Sequence, residues 1–374
     1  MLIAPSEFLA ARLARLQASL DEHQLDALVV TSLPNIAYLT GFFASSAVLI
    51  VTKDRLDLIG DGRYADVLAH RAADSPMVRP LVIEQSSSYD ETLVGVLASL
   101  AGLRTGFEAS HMSVQRHRSV TARLVAIDGW SPGLVETDGL IEQLRLRKDA
   151  WEVERLRDGA LRLSSVAKGI LPKALAGRTE SDVAAELEWE LRRVGFDRPA
   201  FDTIVASGPN AAVPHARASS RRIEAGELVV IDFGGMLDGY CTDLTRTAVA
   251  GAAGERERQL LERVAEAELA AFETLRPGSQ PEAADYAARQ TLARYDLDRA
   301  FTHGTGHGLG LEVHEGPRVT RARADRVEPP LAPGVVMTLE PGVYFPGWGG
   351  VRIEDDVLVT EVGAEWLTDV PRMW

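Results

Sequence analysis

The chain has 374 residues, of which 46% are apolar and 25% charged, and its formal net charge is −14. The length points to two domains, each able to bury its own core, and the composition is that of an ordinary soluble globular protein. The acidic balance argues against a polyanionic partner such as nucleic acid, because no basic face would offset phosphate repulsion.

No apolar stretch reaches the length of a membrane span, and Glu7, Arg12 and Arg15 stand where a signal peptide would carry its apolar core. The expected address is therefore the cytoplasm. The single cysteine, Cys241, leaves no intramolecular disulfide framework and reads as a small apolar strand residue rather than a metal thiolate.

In chain order, apolar residues recur at helical spacing from Leu9 to Leu20. DALVV then reads as a strand and SLPNIAYLTGF as a loop. AVLIVT and LDLIG flank Lys53-Asp54-Arg55 as a short hairpin, a helix starts near Tyr64, and LVIE and RTGFE are further strands. His111 and His117 fall in a helix-like stretch and read as exposed surface residues. The region up to Asp138 is thus alternating α/β.

The chain turns charged between Thr137 and Lys148, which sets the expected domains at 1–138 and 139–374. A long amphipathic helix is predicted from Trp151 to Ala174. A second helix follows, with Thr179 as its N-cap and Gly195 beyond its end. FDTIVAS, an acidic hairpin, a charged helix from Glu255 to Leu275, a helix after Pro281, a glycine-rich histidine segment and a second hairpin complete the chain. Helices followed by strands, twice over, predict a pseudo-twofold α+β domain with a curved antiparallel sheet.

The chemistry is concentrated in five residues. Asp232 lies in VVIDFGG, Asp243 in GYCTDLT, His307 in HGTGHGLGLEVHE, Glu340 in TLEPG and Glu354 in VRIEDD. Four carboxylates and one imidazole are mostly hard oxygen donors, suited to Mn²⁺, Co²⁺ or Mg²⁺. Two such ions side by side can hold a bridging hydroxide, since a metal lowers the pKa of water to about 7.

Internal symmetry supports convergence of the five. The segments beginning at Ile223 and Leu331 align without a gap, so that Gly226 matches Gly334, Asp232 matches Glu340 and Gly234 matches Gly342. Each reads as a strand ending in an acid and a glycine turn, with a second acid on the returning strand. If Asp238-Gly239 is a two-residue turn, Asp232 lies opposite Thr245 and diagonal to Asp243 on one face. Any one of these acids alone would read as a turn or strand-end residue. Their recurrence at matching places in two halves is what that reading leaves unexplained.

The C-terminal region, from about Phe201 to Thr360, resembles the pita-bread metallopeptidases, and within them the Xaa-Pro aminopeptidase and prolidase branch. The segments carrying the resemblance are IVASGPNAAVPHA, VVIDFGGMLDGYCTDLTRT, HGTGHGLGLEVHE and LEPGVYFPGWGGVRIEDD, together with a short C-terminal strand. The N-terminal region is similar to the creatinase-type domain that precedes it in these enzymes. Creatinase works without metal, and the intact ligand positions argue against that function here.

The resemblance implies that Asp232 and Asp243 bind one ion and that His307 binds the other together with Asp243. Glu340 and Glu354 contribute to the pair, with Asp243 bridging, and Glu340 also accepts a proton from the attacking water. It further implies that His215 and His314 donate hydrogen bonds to the scissile carbonyl, each worth roughly 3 kcal/mol as charge develops. His303 and Arg352 are assigned to substrate binding. The alternatives are a backbone-bonded loop histidine for His303 and a charge balancing the acids for Arg352. Tyr344, Phe345 and Trp348 are candidates for the proline pocket or for packing.

The reading that follows is a cytoplasmic, homodimeric, two-metal exopeptidase, most simply Mn²⁺-loaded with Co²⁺ or Zn²⁺ as alternatives. It would release an N-terminal residue preceding proline from a peptide. The alternative is a prolidase restricted to Xaa-Pro dipeptides, which needs a basic group to hold the proline carboxylate. A silent binding protein of the same fold would be expected to have lost ligands, and none is lost. A methionine aminopeptidase generally lacks the long N-terminal domain.

Overall fold

The computed structural model describes residues 2–372 apart from 76, 84–86, 128–129, 132 and 174. Its contacts divide the chain into two compact units, Ile3–Arg145 and the rest from Leu146 onward together with the first two residues.

The N-terminal unit runs α1 (Ser6–Glu22), β1 (Ala27–Val30), α2 (Leu33–Thr40), β2 (Val48–Thr52), β3 (Leu56–Asp61), α3 (Ala65–Asp74), β4 (Val78–Ile83), α4 (Tyr89–Ala98), β5 (Thr105–Glu108), α5 (Val114–Val125), β6 (Val135–Thr137) and α6 (Leu140–Arg145). Its six strands form one sheet in the order β4-β3-β2-β1-β5-β6. Val51 pairs with Leu56 across the expected short hairpin. Glu84, the last residue of the LVIE segment, lies outside the described residues.

Two sequence expectations are corrected in this unit. Leu33–Thr40 is a helix rather than a loop, with Ser32 extended before it, Pro34 in its first turn and Gly41 at φ 65 ending it. Six of its eight residues are buried, so no polar face interrupts the apolar ones and the helical period has nothing to show against. His117 is not a surface residue: it is half-buried and stacks on Phe107 with ring centroids 4.6 Å apart.

The C-terminal unit begins with α7 (Ala150–Ile170) and α8 (Glu180–Arg193). Asp149 and Thr179 cap them with reciprocal capping boxes to Glu152 and Asp182. The expected end of the first helix at Ala174 lies outside the described residues. The strands β7 (Arg198–Pro199), β8 (Ile204–Ser207), β9 (Leu228–Phe233), β10 (Gly235–Leu237), β11 (Tyr240–Cys241) and β12 (Leu244–Val249) follow, then α9 (Glu255–Phe272) and α10 (Pro281–Ala293). The second half closes with β13 (Gly306–Gly308), β14 (Glu315–Val319), β15 (Val336–Leu339), β16 (Gly342–Phe345), β17 (Gly349–Arg352), β18 (Asp355–Val359) and β19 (Ala364–Trp366).

The internal repeat is visible in the backbone. Gly226 and Gly334 both take positive φ, 89 and 91, and their N–H groups donate to matching acceptors, Ala250 O and Val359 O. Each half has its own core. Leu163, Leu187, Ile231 and Phe233 are buried together in the first, and Leu261, Val264, Met337 and Val357 in the second. Helices therefore cover one face of each half-sheet with apolar side chains, and the polar residues of the strands are left for the opposite face.

The two halves join along one seam. Thr245 and Glu354 form an antiparallel bridge, with Glu354 N–H donating to Thr245 O at 3.0 Å. Thr247 and Arg352 exchange further hydrogen bonds beside it, at 2.9 and 3.0 Å. Behind the seam Arg246, fully buried, donates to Glu354 O at 2.7 Å and pairs with Asp355 at 2.8 Å. This fixes the backbone from which Glu354 projects.

Candidate metal centre

Strand register builds the site. Leu237 pairs with Tyr240, so Asp238-Gly239 is a two-residue turn, with φ 52 and 87 as a type I′ hairpin requires. Asp232 then pairs with Thr245, and Asp243 follows two positions before it. In the second hairpin Phe345 pairs with Gly349 and Leu339 with Asp355. Continuing either ladder sets Glu340 opposite Glu354. The Thr245–Glu354 bridge brings the two pairs of acids together.

His307 enters from β13. A Cβ on Gly306 would press into the Thr338 carbonyl, and one on Gly308 into the Gly316 carbonyl, so both flanking residues must lack a side chain. Gly306→Ala is expected to cost about 1–3 kcal/mol of stability and to lower turnover by displacing His307. Thermal unfolding checks this, and an unchanged melting temperature would contradict the close approach.

The donor atoms face one another. Asp243, His307 and Glu354 each offer an atom within 4.8 Å of the others. His307 Nε2 is 4.0 Å from Asp243 Oδ2 and 3.8 Å from Glu340 Oε1. Its Nδ1 lies 3.0 Å from Gly308 O, which assigns the ring proton to Nδ1 and leaves Nε2 with a free lone pair. Burial, followed by the neighbouring His314, lowers the His307 pKa to about 4, so the ring is neutral as a ligand must be.

Asp232 is tied to Arg352 Nη2 at 2.6 Å, and Glu354 Oε2 accepts from Thr245 Oγ1 at 2.6 Å. Burial and then the surrounding carboxylates push Asp243 and Glu354 well above the usual carboxylate range. Burial pushes Glu340 to about 8, against the lowering effect of Arg352.

These residues fit divalent cations. Asp232 Oδ1 and Asp243 Oδ1 are buried without a hydrogen-bond partner, an arrangement that costs stability unless a cation completes it. Among the described lysines and arginines, only the buried Arg352 pairs with any of the four carboxylates, at Asp232. With all four ionised, one divalent ion would leave a single negative charge, and a second would leave a single positive charge that a bound hydroxide could balance.

The acids form the floor of a cleft of about 1530 Å³. His215, His303 and His314 all line it. His314 packs edge-on against His307 with centroids 4.2 Å apart, and His215 is exposed to the cleft. His303 accepts from Tyr344 at Nε2, 2.8 Å, and donates from Nδ1 to Gly304 O, 2.8 Å, and its Nδ1 is 3.8 Å from Glu340 Oε2. Burial and then Arg352 hold its pKa down to about 4. Arg352 is buried and gives its protons to protein acceptors: Asp232, Tyr344 Oη, Thr245 Oγ1 and Pro214 O.

Of the three aromatic candidates, Tyr344 is buried behind His303, and Phe345 and Trp348 pack against the second core. None of the three is among the lining residues, which include Phe201 and Val313 instead. Cys241 is buried in β11, where burial raises its thiol to about 12, consistent with a strand residue. Sequence reading also missed four cleft arginines, Arg217, Arg318, Arg323 and Arg326. The pairing of His307 with Arg318 across β13 and β14 would have pointed to one of them, but a register shift beside His307 conceals it from spacing alone.

An acid and imidazole cluster with orphaned oxygens, set beneath an open cleft, is the chemistry of a metal-dependent hydrolase. Residues 154–361 match the profile of metallopeptidase family M24, and residues 12–147 match the creatinase/prolidase N-terminal domain. The chain belongs to metallopeptidase family M24. It is 33% identical to a Xaa-Pro dipeptidase of Pyrococcus furiosus, over 96% of this chain and 98% of that one. Among solved structures it is similar to a Xaa-Pro dipeptidase from Bacillus anthracis, with a TM-score of 0.88 and 31% identity over 98% of this chain and 100% of that one. It is also similar to an X-Pro aminopeptidase from Thermotoga maritima, with a TM-score of 0.84 and 30% identity over 96% and 98%. Among the described residues no helix is long and apolar enough to cross a membrane.

Proposed function

We propose that this protein is a Xaa-Pro dipeptidase acting in the cytoplasm as a homodimer. The alternative stated from sequence thus replaces the aminopeptidase as the main reading, because relatives spanning nearly the whole chain carry the dipeptidase name. The observation that carries it is the position of Arg318. As the cross-strand partner of His307, it rises from the same ladder position as a proposed metal ligand and lines the cleft. Arg318 has no acidic partner among the described residues, so it is free to receive the carboxylate of a dipeptide's proline.

Asp232 and Asp243 would hold one ion, His307 and Asp243 the other, with Glu340 and Glu354 completing the pair. When bound, the two ions, Mn²⁺ by expectation or else Co²⁺ or Zn²⁺, supply a water with a pKa near 7 and polarise the scissile carbonyl. Glu340 takes the proton of the attacking water and hands it to the leaving proline nitrogen. His215 and His314 donate to the carbonyl oxygen as negative charge grows on it. Arg352 orients Asp232, and through Pro214 O holds the loop that carries His215. The tertiary amide before proline has no N–H to be recognised, so the ring and the terminal carboxylate become the handles.

The test is the initial rate of the Mn²⁺-loaded enzyme on Ala-Pro beside Ala-Pro-Ala. A dipeptidase cleaves Ala-Pro and leaves the tripeptide nearly untouched, and Arg318→Ala raises KM for Ala-Pro by roughly tenfold or more, as expected for losing a charge-assisted hydrogen bond. Fast release of alanine from Ala-Pro-Ala would instead establish the aminopeptidase, a reading favoured by the cleft volume and by the likeness to the Thermotoga maritima enzyme.

A further inference from the structure

His215 stands on the segment Ser207–Ser219, which leaves the end of β8 and lines the cleft from Pro214 to Ala218. The outgoing end is held in β8, where Ser207 pairs with Val229. The returning end is held against the start of α8 by the Thr179–Arg222 bridge and by the Glu180 N–H, which donates to Arg221 O at 3.1 Å. Among the described residues no backbone bond links the two ends to each other. One side chain supplies that link. Glu180, the first residue of α8, is 0% exposed, and both of its carboxylate oxygens accept hydrogen bonds from this segment.

Oε1 accepts from Ser207 N and Ser207 Oγ, both at 2.8 Å, and from Asn210 Nδ2 at 3.0 Å. Oε2 accepts from Ser219 N at 3.1 Å, Ser219 Oγ at 2.6 Å and Asn210 Nδ2 at 3.1 Å. One oxygen thus holds the outgoing backbone and the other the returning backbone. Arg221 adds a bond to Ser207 Oγ at 2.6 Å, and the Ser181 N–H donates to Ser219 O at 3.0 Å. Further along, the segment is tied to the metal side of the site by Arg352 Nη1, which donates to Pro214 O at 3.2 Å.

A carboxylate is an expensive group to bury, and here every side-chain bond it makes goes to one loop. We infer that Glu180 is a positioning residue that closes the neck of the His215 loop and thereby sets where His215 meets the substrate. The inference rests on the reading of His215 as a substrate-contacting histidine. Glutamine is isosteric with Glu180 but offers one acceptor oxygen and one donating NH₂. The serine hydroxyls can turn to accept from that NH₂, whereas the backbone N–H of Ser207 or of Ser219 cannot, so one of the two links that Glu180 makes across the neck is lost while the backbone bonds at each end remain.

The experiment compares Glu180→Gln, His215→Ala and the double variant as Mn²⁺-loaded full-length enzymes on Ala-Pro, with metal content and melting temperature recorded for each. Glu180→Gln is expected to lower kcat by roughly 10- to 100-fold with KM little changed, the scale of a histidine displaced by about 1 Å. In the His215→Ala background the same change should have almost no further effect. Multiplicative losses in the double variant, or wild-type kcat in Glu180→Gln, would overturn the positioning role while leaving His215 in place. Wild-type kinetics in His215→Ala would overturn the reading of His215 itself, and the inference with it. Should Glu180→Gln fail to fold, Ser219→Ala removes only one donor from the clamp. Its smaller loss must likewise vanish when His215 is absent, and persistence of that loss would refute the inference.

Discussion

Replacing Asp243 by alanine is expected to lower turnover of Xaa-Pro substrates by at least roughly 10³-fold, because the metal-supplied nucleophile is lost together with its electrostatic support. Asp243 is 4% exposed, stands 4.0 Å from His307 and belongs to the cluster in which Asp243, His307 and Glu354 lie within 4.8 Å of each other. Its Oδ1 has no hydrogen-bond partner in the protein, so a cation is the group it is placed to meet. The fold should survive. The side chain is surrounded by Glu354, Asp232, Asp356 and Glu340, all of which disfavour its ionised form, and its removal relieves that repulsion. Hydrolysis of Ala-Pro, bound metal per chain and circular dichroism measured together separate these effects. A variant that keeps full activity, or that keeps two ions per chain, would remove Asp243 from the centre.

The metal-stripped protein is expected to lose stability as pH rises from about 4.5 to about 8. In the unfolded chain Glu340 releases its proton near 4.5, whereas in the folded, metal-free protein burial holds that proton until about 8. Within this window the folded state binds more protons than the unfolded one, so each pH unit gained favours unfolding. The slope approaches about 1.4 kcal/mol per pH unit for each carboxylate that titrates this way. Asp243 and Glu354 are raised in the same direction by burial and by their acidic neighbours, which steepens the fall. Divalent ions reverse it by favouring the ionised carboxylates, so Mn²⁺ should raise the melting temperature more at pH 8 than at pH 5. Glu268 and Asp356 are also raised by burial, and the part of the slope that survives metal loading belongs to them. A melting temperature independent of pH in the stripped protein would show that the acids are not held close together without metal.

Much of this centre was legible in the chain because its determinants are local. Asp238-Gly239 can take positive φ at both positions, and that fixes a two-residue turn and with it the pairing of Asp232 with Thr245. The matching glycines, Gly226 and Gly334, mark the repeat because only a residue tolerant of positive φ serves at the start of each strand. Thr179 capped its helix as expected, with Asp182 completing the box.

What the chain left unread has a different cause. The helix Leu33–Thr40 is buried on all sides, and its apolar run has no period to detect. For Tyr344 the chain left the proline pocket and packing both open, and only burial decides between them, with its hydroxyl turned toward His303 and Arg352.

By itself the sequence determined which residues could bind metal, the hairpins that present them and the twofold plan, since turn chemistry and strand alternation act over a few residues. The tertiary structure alone decided that the hairpins meet at Thr245 and Glu354, 109 residues apart, that Arg318 stands across from His307, and that Glu180 closes a loop reaching to Ser219, 39 residues away. Those choices depend on burial and on ladder register between distant segments, and a buried charge such as Glu180 differs from a surface one only in the partners that folding brings to it.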